Sequence, residues 1–331
     1  MAKMTFSRPT ILCSRCLGFA PCRYNAATIP TEIVDKLKAY AEFITVCPES
    51  DIGLGVPRDP IRIVSVKGLK KLVQPKTGRE VTSSMEAFCE QYLATVDVDG
   101  FILKGRSPSC GIKDVKVYLG DGDAAATEKG SGYFGGKVME KYPDHAVEEE
   151  GRLLNTRIRE HFLTSIFAYA GFRDAIKTAK ISTLVRYHSV NKLLFMGYNQ
   201  SQMRLMGRIV ANREKLPFES VAKEYGTKLR KVLMRAPRRQ SNINVLMHAF
   251  GYFSERLAKD EKKQFLDTTD EYREGRIPLV AVTTMLQSWA ARFNEGYIKE
   301  QSYLEPYPKE LIEVDESDKE RYLAMADTLK R

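Results

Sequence analysis

All six cysteines of this chain lie in its first third, at positions 13, 16, 22, 47, 89 and 110. Three of them fall where an apolar, strand-like run ends: Cys16 in CSRCLG, Cys47 closing FITVC, and Cys110 in GRSPSCG just after Gly100-Phe101-Ile102-Leu103. A cysteine so placed is either a small buried core residue or a thiolate held as a metal ligand. Three thiolates converging on one point suit zinc, or an iron–sulfur centre with one iron left open. After the Cys13/Cys16 pair the candidate ligands come singly, so the pattern of two zinc knuckles is absent. Spacing alone leaves open the metal, and also the alternative of scattered core cysteines.

Groups able to move protons or hold a ligand stand beside these cysteines. Glu49, two residues after Cys47, is a candidate general base, since removal from bulk water raises a carboxylate pKa; its alternative role is to accept hydrogen bonds from a helix N-terminus or from Arg58. Ser109 and Ser107 flank Pro108 ahead of Cys110, and either meets a substrate or simply shapes the turn. Arg23, Tyr24 and Asn25 follow the first cysteine loop and are candidate substrate contacts. Lys104 and Arg106 add positive charge near Cys110.

The elements that must position these residues alternate. Thr10–Cys13, Phe43–Val46, Ile61–Val66, Gly100–Leu103 and Val115–Tyr118 read as short strands, and 30–40 and 83–96 show helical spacing. Alternation of this kind predicts an α/β N-terminal domain, Rossmann-like with a mainly parallel sheet, in which ligands sit beyond the carboxyl ends of the strands. From about Glu148 onward strand signals fade. Long amphipathic patterns follow at 184–211, 218–235, 243–257 and 280–300, so an all-α domain is expected, with the division at residues 1–170 and 171–331. Gly130-Ser131-Gly132-Tyr133-Phe134-Gly135 matches a dinucleotide-binding signature in form, but no clear strand precedes it. The four histidines show no i,i+4 pair and no HExxH, and read as packed side chains rather than ligands.

The formal net charge is +10, and its distribution is uneven. Residues 1–150 balance 20 basic against 20 acidic side chains, residues 151–240 carry 19 against 5, and residues 241–331 carry 13 against 17. A confined basic segment suits a polyanion, because each neutralised phosphate releases counterions; the plainer reading is that it solvates helix faces. Arg204, Arg208, Arg213, Lys215, Lys228, Arg230, Lys231, Arg235, Arg238 and Arg239 are the candidate phosphate contacts, and Tyr187, Tyr198 and Tyr225 either stack on bases or fill a core. No apolar stretch reaches the ~20 residues of a membrane span, the first residues lack a secretory apolar segment, and six cysteines are too few for a disulfide scaffold. A cytoplasmic protein without a membrane partner is expected.

Three blocks, ILCSRCLGFAPCRYN, VCPESDIGLGVPR and KGRSPSCG, resemble the signature blocks of the thiouracil desulfidase family, and the resemblance runs over roughly residues 8 to 160, to EEEGRLLN. The second half, with LVRYHSVNKLLFMGY, NVLMHAFGYF, YREGRIPLVAV and QSYLEPYPKEL, is similar to the helical domain often fused to it; the fused form resembles tRNA 4-thiouridine desulfidases. The resemblance implies a [4Fe-4S] cluster on Cys16, Cys47 and Cys110, with the fourth iron binding the substrate sulfur. It also implies desulfuration of 4-thiouridine in tRNA without net redox, tRNA rather than DNA as partner, and free thiouracil salvage as the alternative. Cys22 is a weaker ligand candidate, and Cys13 and Cys89 read as buried. The chain departs from the family pattern at Arg15 and in the contracted CLGFAP, which bears on the substrate-side contacts of the first loop.

Overall fold

A computed structural model of the chain describes residues 5–120 and 126–312. In chain order the N-terminal half contains β1 (Thr10–Ser14), α1 (Glu32–Leu37), β2 (Glu42–Val46), α2 (Pro48–Asp51), β3 (Arg62–Val66), β4 (Leu69–Gln74), β5 (Arg79–Glu80), α3 (Thr82–Ala94), β6 (Gly100–Leu103), β7 (Val115–Leu119), β8 (Ala126–Gly130), α4 (Tyr133–Lys141) and β9 (Ala146–Glu149). All five strands expected from the sequence are present. They do not form one sheet.

β2, β1, β6 and β9 make a four-stranded, wholly parallel sheet in that order. The other five strands, in the order β5-β4-β3-β7-β8, make a second sheet that is antiparallel except between β3 and β7. The mainly parallel sheet therefore describes only the first. The antiparallel hairpin follows from Lys67 and Gly68, both at positive φ (52° and 81°), the two-residue turn whose twist matches paired strands.

β1 and β6 are buried runs, as interior parallel strands must be. Gly100 is required there: a Cβ on it would meet Ile166 Cγ2 at 2.6 Å and the Ala146 carbonyl at 3.0 Å. The side chain it would meet belongs to α5 (Thr156–Lys177), which starts at Asn155, whose side chain accepts from the Ile158 N–H at 3.1 Å. α5 runs unbroken past residue 170. On its far side Arg173 pairs with Asp99 and donates to the Arg8 carbonyl at 2.7 Å, tying the helix to the strand ends.

Beyond α5 the chain is helical: α6 (Ile181–Val190), α7 (Lys192–Ala211), α8 (Phe218–Leu233), α9 (Arg239–Gly251), α10 (Lys259–Glu274), α11 (Leu279–Arg292) and α12 (Gly296–Lys299). The single pattern expected at 184–211 is two helices broken at Asn191, which is buried and donates to the Tyr187 carbonyl at 2.8 Å. α10 has no counterpart in the sequence reading. Its charged surface hides a narrow stripe, Phe265, Thr269 and Tyr272, at i, i+4 and i+7. Tyr187 and Tyr225 lie inside the helical core and Tyr198 bonds to His161 Nδ1 at 3.0 Å, so these rings serve packing rather than base stacking.

Candidate metal and catalytic centre

β1 lies between β2 and β6, so the loops carrying Cys16, Cys47 and Cys110 leave three adjacent parallel strands at the same edge. All three cysteines are buried, and so is Cys22. Cys47 Sγ donates to the Cys22 carbonyl at 3.6 Å, which ties the first cysteine loop to the second. Cys110 Sγ receives the Ser109 hydroxyl at 3.9 Å, and the buried Ser14 hydroxyl accepts from the Lys104 N–H at 2.9 Å, joining the end of β1 to the Cys110 loop. Cys13, in contrast, points into the core of the parallel sheet and Cys89 into that of α3, as expected.

The loops are cross-braced. Arg15 forms a two-pronged ion pair with Asp51 at 3.0 and 3.1 Å, and Asp51 accepts from the Cys47 N–H at 3.2 Å, so the departure at Arg15 anchors one cysteine loop to another. Ser50 donates to Cys47 Sγ at 3.3 Å.

The loop bearing Cys110 is held from two sides. Glu149, buried at the end of β9, accepts from the Ile112 and Lys113 N–H groups at 2.8 and 3.3 Å. Glu150 accepts from the Gly105 N–H at 2.7 Å and pairs with Lys104, which commits that ammonium to the loop. On the other side lies the glycine motif: Gly132, Tyr133 and Gly135 donate to the Gly111, Pro108 and Ser109 carbonyls at 2.7, 3.1 and 3.0 Å. A Cβ on Gly132 would meet the Ser109 carbonyl at 2.5 Å, and one on Gly135 the Gly111 carbonyl at 2.3 Å. The motif thus serves close backbone approach to the cysteine loop rather than a dinucleotide.

Glu49 sits at the centre of the polar array. Its Oε1 accepts from Ser109 Oγ at 2.6 Å, while Oε2 accepts from Arg58 Nη2 and Nε at 2.6 and 2.8 Å. The pair is buried, the Arg58 side chain 3% and that of Glu49 12% exposed. Ser107 Oγ lies 3.0 Å from Ser109 Oγ and accepts from the Cys110 N–H at 3.1 Å, so it shapes the turn while Ser109 reaches the carboxylate. Arg23 stacks on the exposed Tyr24 ring at 5.4 Å, and Asn25 turns back to the Ala27 N–H at 3.3 Å. Sequence reasoning passed over Ser14, Glu149 and Glu150; three successive acids, Glu148 to Glu150, closing a strand were the available signal.

The donor set fits a thiolate-bound cationic group. Contact with Cys16 pushes the Cys22 thiol up, contact with Cys22 and then burial push Cys47 up, and burial pushes Cys110 up to about 12. Buried thiols crowded in this way hold their protons until a cation supplies the balancing charge. Among the described residues no three His, Cys, Asp or Glu side chains surround a point suited to one ion. A cluster asks for something else, since it places each thiolate on a different iron.

The basic residues divide. Arg204, Arg208 and Arg213 are exposed and, with Lys192 and the half-buried Lys228, line a cavity of about 1200 Å³ between α6, α7, α8 and α9, which Glu214 and Glu224 also reach. Lys231, Arg235, Arg238 and Arg239 are exposed, although the Arg239 guanidinium lies over the Tyr272 ring at 5.6 Å. Arg230 turns inward over Tyr169 at 5.1 Å, and so leaves the exposed set.

Buried thiols at the carboxyl edge of a parallel sheet, beside an ion-paired carboxylate, define an α/β protein with a candidate thiolate centre. The chain belongs to the 2-thiouracil desulfurase family, whose model matches residues 11–150; residues 192–308 match a second model, Protein of unknown function (DUF1722). The uncharacterized protein YbbK of Bacillus subtilis (strain 168) is 33% identical over 140 residues, spanning 37% of this chain and 91% of that protein. The uncharacterized protein YbgA of Escherichia coli (strain K12) is 28% identical over 127 residues, 38% of this chain and 75% of that one. Among solved structures, the [4Fe-4S]-dependent thiouracil desulfidase TudS is 26% identical, covering 44% of this chain and 93% of that chain with a TM-score of 0.36. No helix among the described residues is long and apolar enough to cross a membrane.

Proposed function

We propose that this chain is a desulfidase converting 4-thiouridine in tRNA to uridine at a [4Fe-4S] cluster held by Cys16, Cys47 and Cys110. The observation that carries the desulfidase reading is the hydrogen-bonded chain Ser109–Glu49–Arg58, laid beside the thiol of Cys110. When bound, such a cluster supplies an open iron, a soft Lewis acid for a thiocarbonyl sulfur. The residues supply the rest. Glu49, oriented by Arg58, takes a proton from the water that adds to the ring carbon. Ser109, within reach of both Glu49 and Cys110, returns a proton to the departing side. One C–O bond forms, the C–S bond breaks, and sulfur leaves as hydrosulfide, with no net redox.

Support for the tRNA reading comes from the exposed arginines of the helical half, whose positive charge suits a phosphate backbone. A thiouridine within folded tRNA has to be extruded to reach a pocket, at a cost of a few kcal/mol that backbone contacts offset. The family description favours a second reading, in which a free thiolated pyrimidine is the substrate. One assay separates them: anaerobically reconstituted protein is mixed with thiolated tRNA or free thiouracil at rising salt. The near-UV absorbance of 4-thiouridine is expected to disappear, and its rate of loss to fall steeply with salt while turnover of free base does not. Unchanged absorbance with a fully loaded cluster would sink the tRNA reading.

A further inference from the structure

We propose that Leu154 is a wedge that enters a stacked RNA strand and fills the gap left by the extruded thiolated base; this rests on the tRNA reading above. Leu154 ends the turn Arg152–Leu154 at the carboxyl edge of the parallel sheet, just beyond Glu149 and Glu150, which hold the Cys110 loop. Its side chain is 73% exposed, more than that of any other large apolar residue among those described. Its neighbour Leu153 is buried, in the same apolar cluster as Cys16, Cys22 and Cys47. One leucine thus anchors the turn to the cysteine loops and the next is presented to solvent.

The turn is braced. Arg159, itself buried, donates from Nη1 to the Leu153 and Leu154 carbonyls at 3.0 and 3.3 Å. The Asn155 N–H donates to the Arg152 carbonyl at 3.0 Å while its side chain caps α5, and Arg152 pairs with Glu148 through two bonds of 2.6 and 3.2 Å. A side chain held outward on a fixed backbone inserts with little further ordering, and a gap between unstacked bases is the apolar slot that fits it.

Charge selects nucleic acid as the occupant. Arg157, in the first turn of α5, is exposed and donates to the Pro237 carbonyl at 3.5 Å, which brings the loop carrying the exposed Arg235 and Arg238 to the same edge. The acids that precede Leu154 are committed elsewhere: Glu148 to Arg152, Glu149 to backbone N–H groups and Glu150 to Lys104. A leucine beside arginines offers apolar contact to base faces and positive charge to the flanking phosphates.

The test compares cluster-loaded wild type, Leu154→Ser and Leu154→Met on folded tRNA carrying 4-thiouridine, on a single-stranded oligonucleotide carrying it between uridines, and on free thiouracil. Leu154→Ser is expected to lose about 10- to 100-fold in kcat on folded tRNA, the contribution of one buried leucine expressed as a rate. Its KM for tRNA, its iron content and its rate on the unstacked substrates are expected to stay unchanged, and Leu154→Met, of similar volume, to recover most of the tRNA rate. Undiminished tRNA turnover in Leu154→Ser, or an equal loss on every substrate, overturns the wedge, while tRNA turnover by wild type leaves the functional reading standing. If wild type accepts only folded tRNA, a lower kcat at unchanged KM and iron content, restored by methionine, decides for the wedge, and any other pattern decides against it. A wild type that desulfurates free thiouracil and neither RNA overturns the wedge and the tRNA reading together.

Discussion

Ser109 and Glu49 are 60 residues apart and meet at 2.6 Å because β2 and β6 flank the same central strand. Exchanging either removes a proton position without removing a thiol. Glu49→Gln and Ser109→Ala are each expected to lower desulfuration by about 10²- to 10⁴-fold, with iron, sulfide and tRNA affinity retained. That combination also excludes a merely bracing metal in an RNA-binding protein, for which turnover would be absent from the start. Residue type and strand-end position made Cys16, Cys47, Cys110 and Glu49 legible in the sequence. The pairing of Ser109 rather than Ser107 with Glu49 was not legible, since two serines on one turn are distinguished only by which way the turn faces. Ser14 was hidden for a related reason: its role depends on the register Cys13↔Ile102, which brings the end of β1 to the loop after β6.

At the scale of elements, the N-terminus of α4 is a buttress. Its glycines read in sequence as a phosphate-binding signature because both uses need backbone to approach closely with no Cβ between. Gly135→Ala puts a methyl 2.3 Å from the Gly111 carbonyl, so the loop carrying Cys110 has to move. The variant is expected to lose about 1–3 kcal/mol of stability, as overpacked sites do. Its iron content after reconstitution is expected to drop, measured against Gly136→Ala, whose Cβ meets only the Ser131 side chain, at 2.7 and 3.4 Å. The helices within 184–257 and 280–300 were legible from their apolar faces, whereas α5, although largely buried, was not read as a separate pattern. α10 was not, because Phe265, Thr269 and Tyr272 are its only buried residues.

Across the whole molecule, three histidines, His188 buried and His145 and His161 half-buried, tie stability to pH. Burial pushes His145, His161 and His188 from the usual value down to about 4. The unfolded chain binds protons at these sites near pH 6.5 and the folded chain does not, so unfolding takes up protons between about pH 6.5 and 4. The stability these residues contribute is present above that window and lost as pH falls through it. Thermal melting is expected to decline steadily from pH 7 to 5, and less steeply in His188→Gln, which keeps a neutral partner for Tyr225, now 3.1 Å from His188 Nδ1. A melting temperature flat over that range would contradict the assignment. Molecular charge also acts at this scale: the basic excess seen in sequence resolves into an exposed set around α7 and α8 and an inward Arg230, a division made by helix rotation.

The sequence by itself determined the α/β-then-helical order, the cysteines at strand ends and the confinement of positive charge, because hydrophobic periodicity and residue type are local properties. Only the tertiary structure decided that the strands split into two sheets and that the Cys22 carbonyl meets Cys47 Sγ. It also decided that Arg58 holds Glu49, and that a glycine motif supports the Cys110 loop. Each depends on residues distant in the chain being brought within hydrogen-bonding or van der Waals distance, which is set by strand order and register and by no single segment.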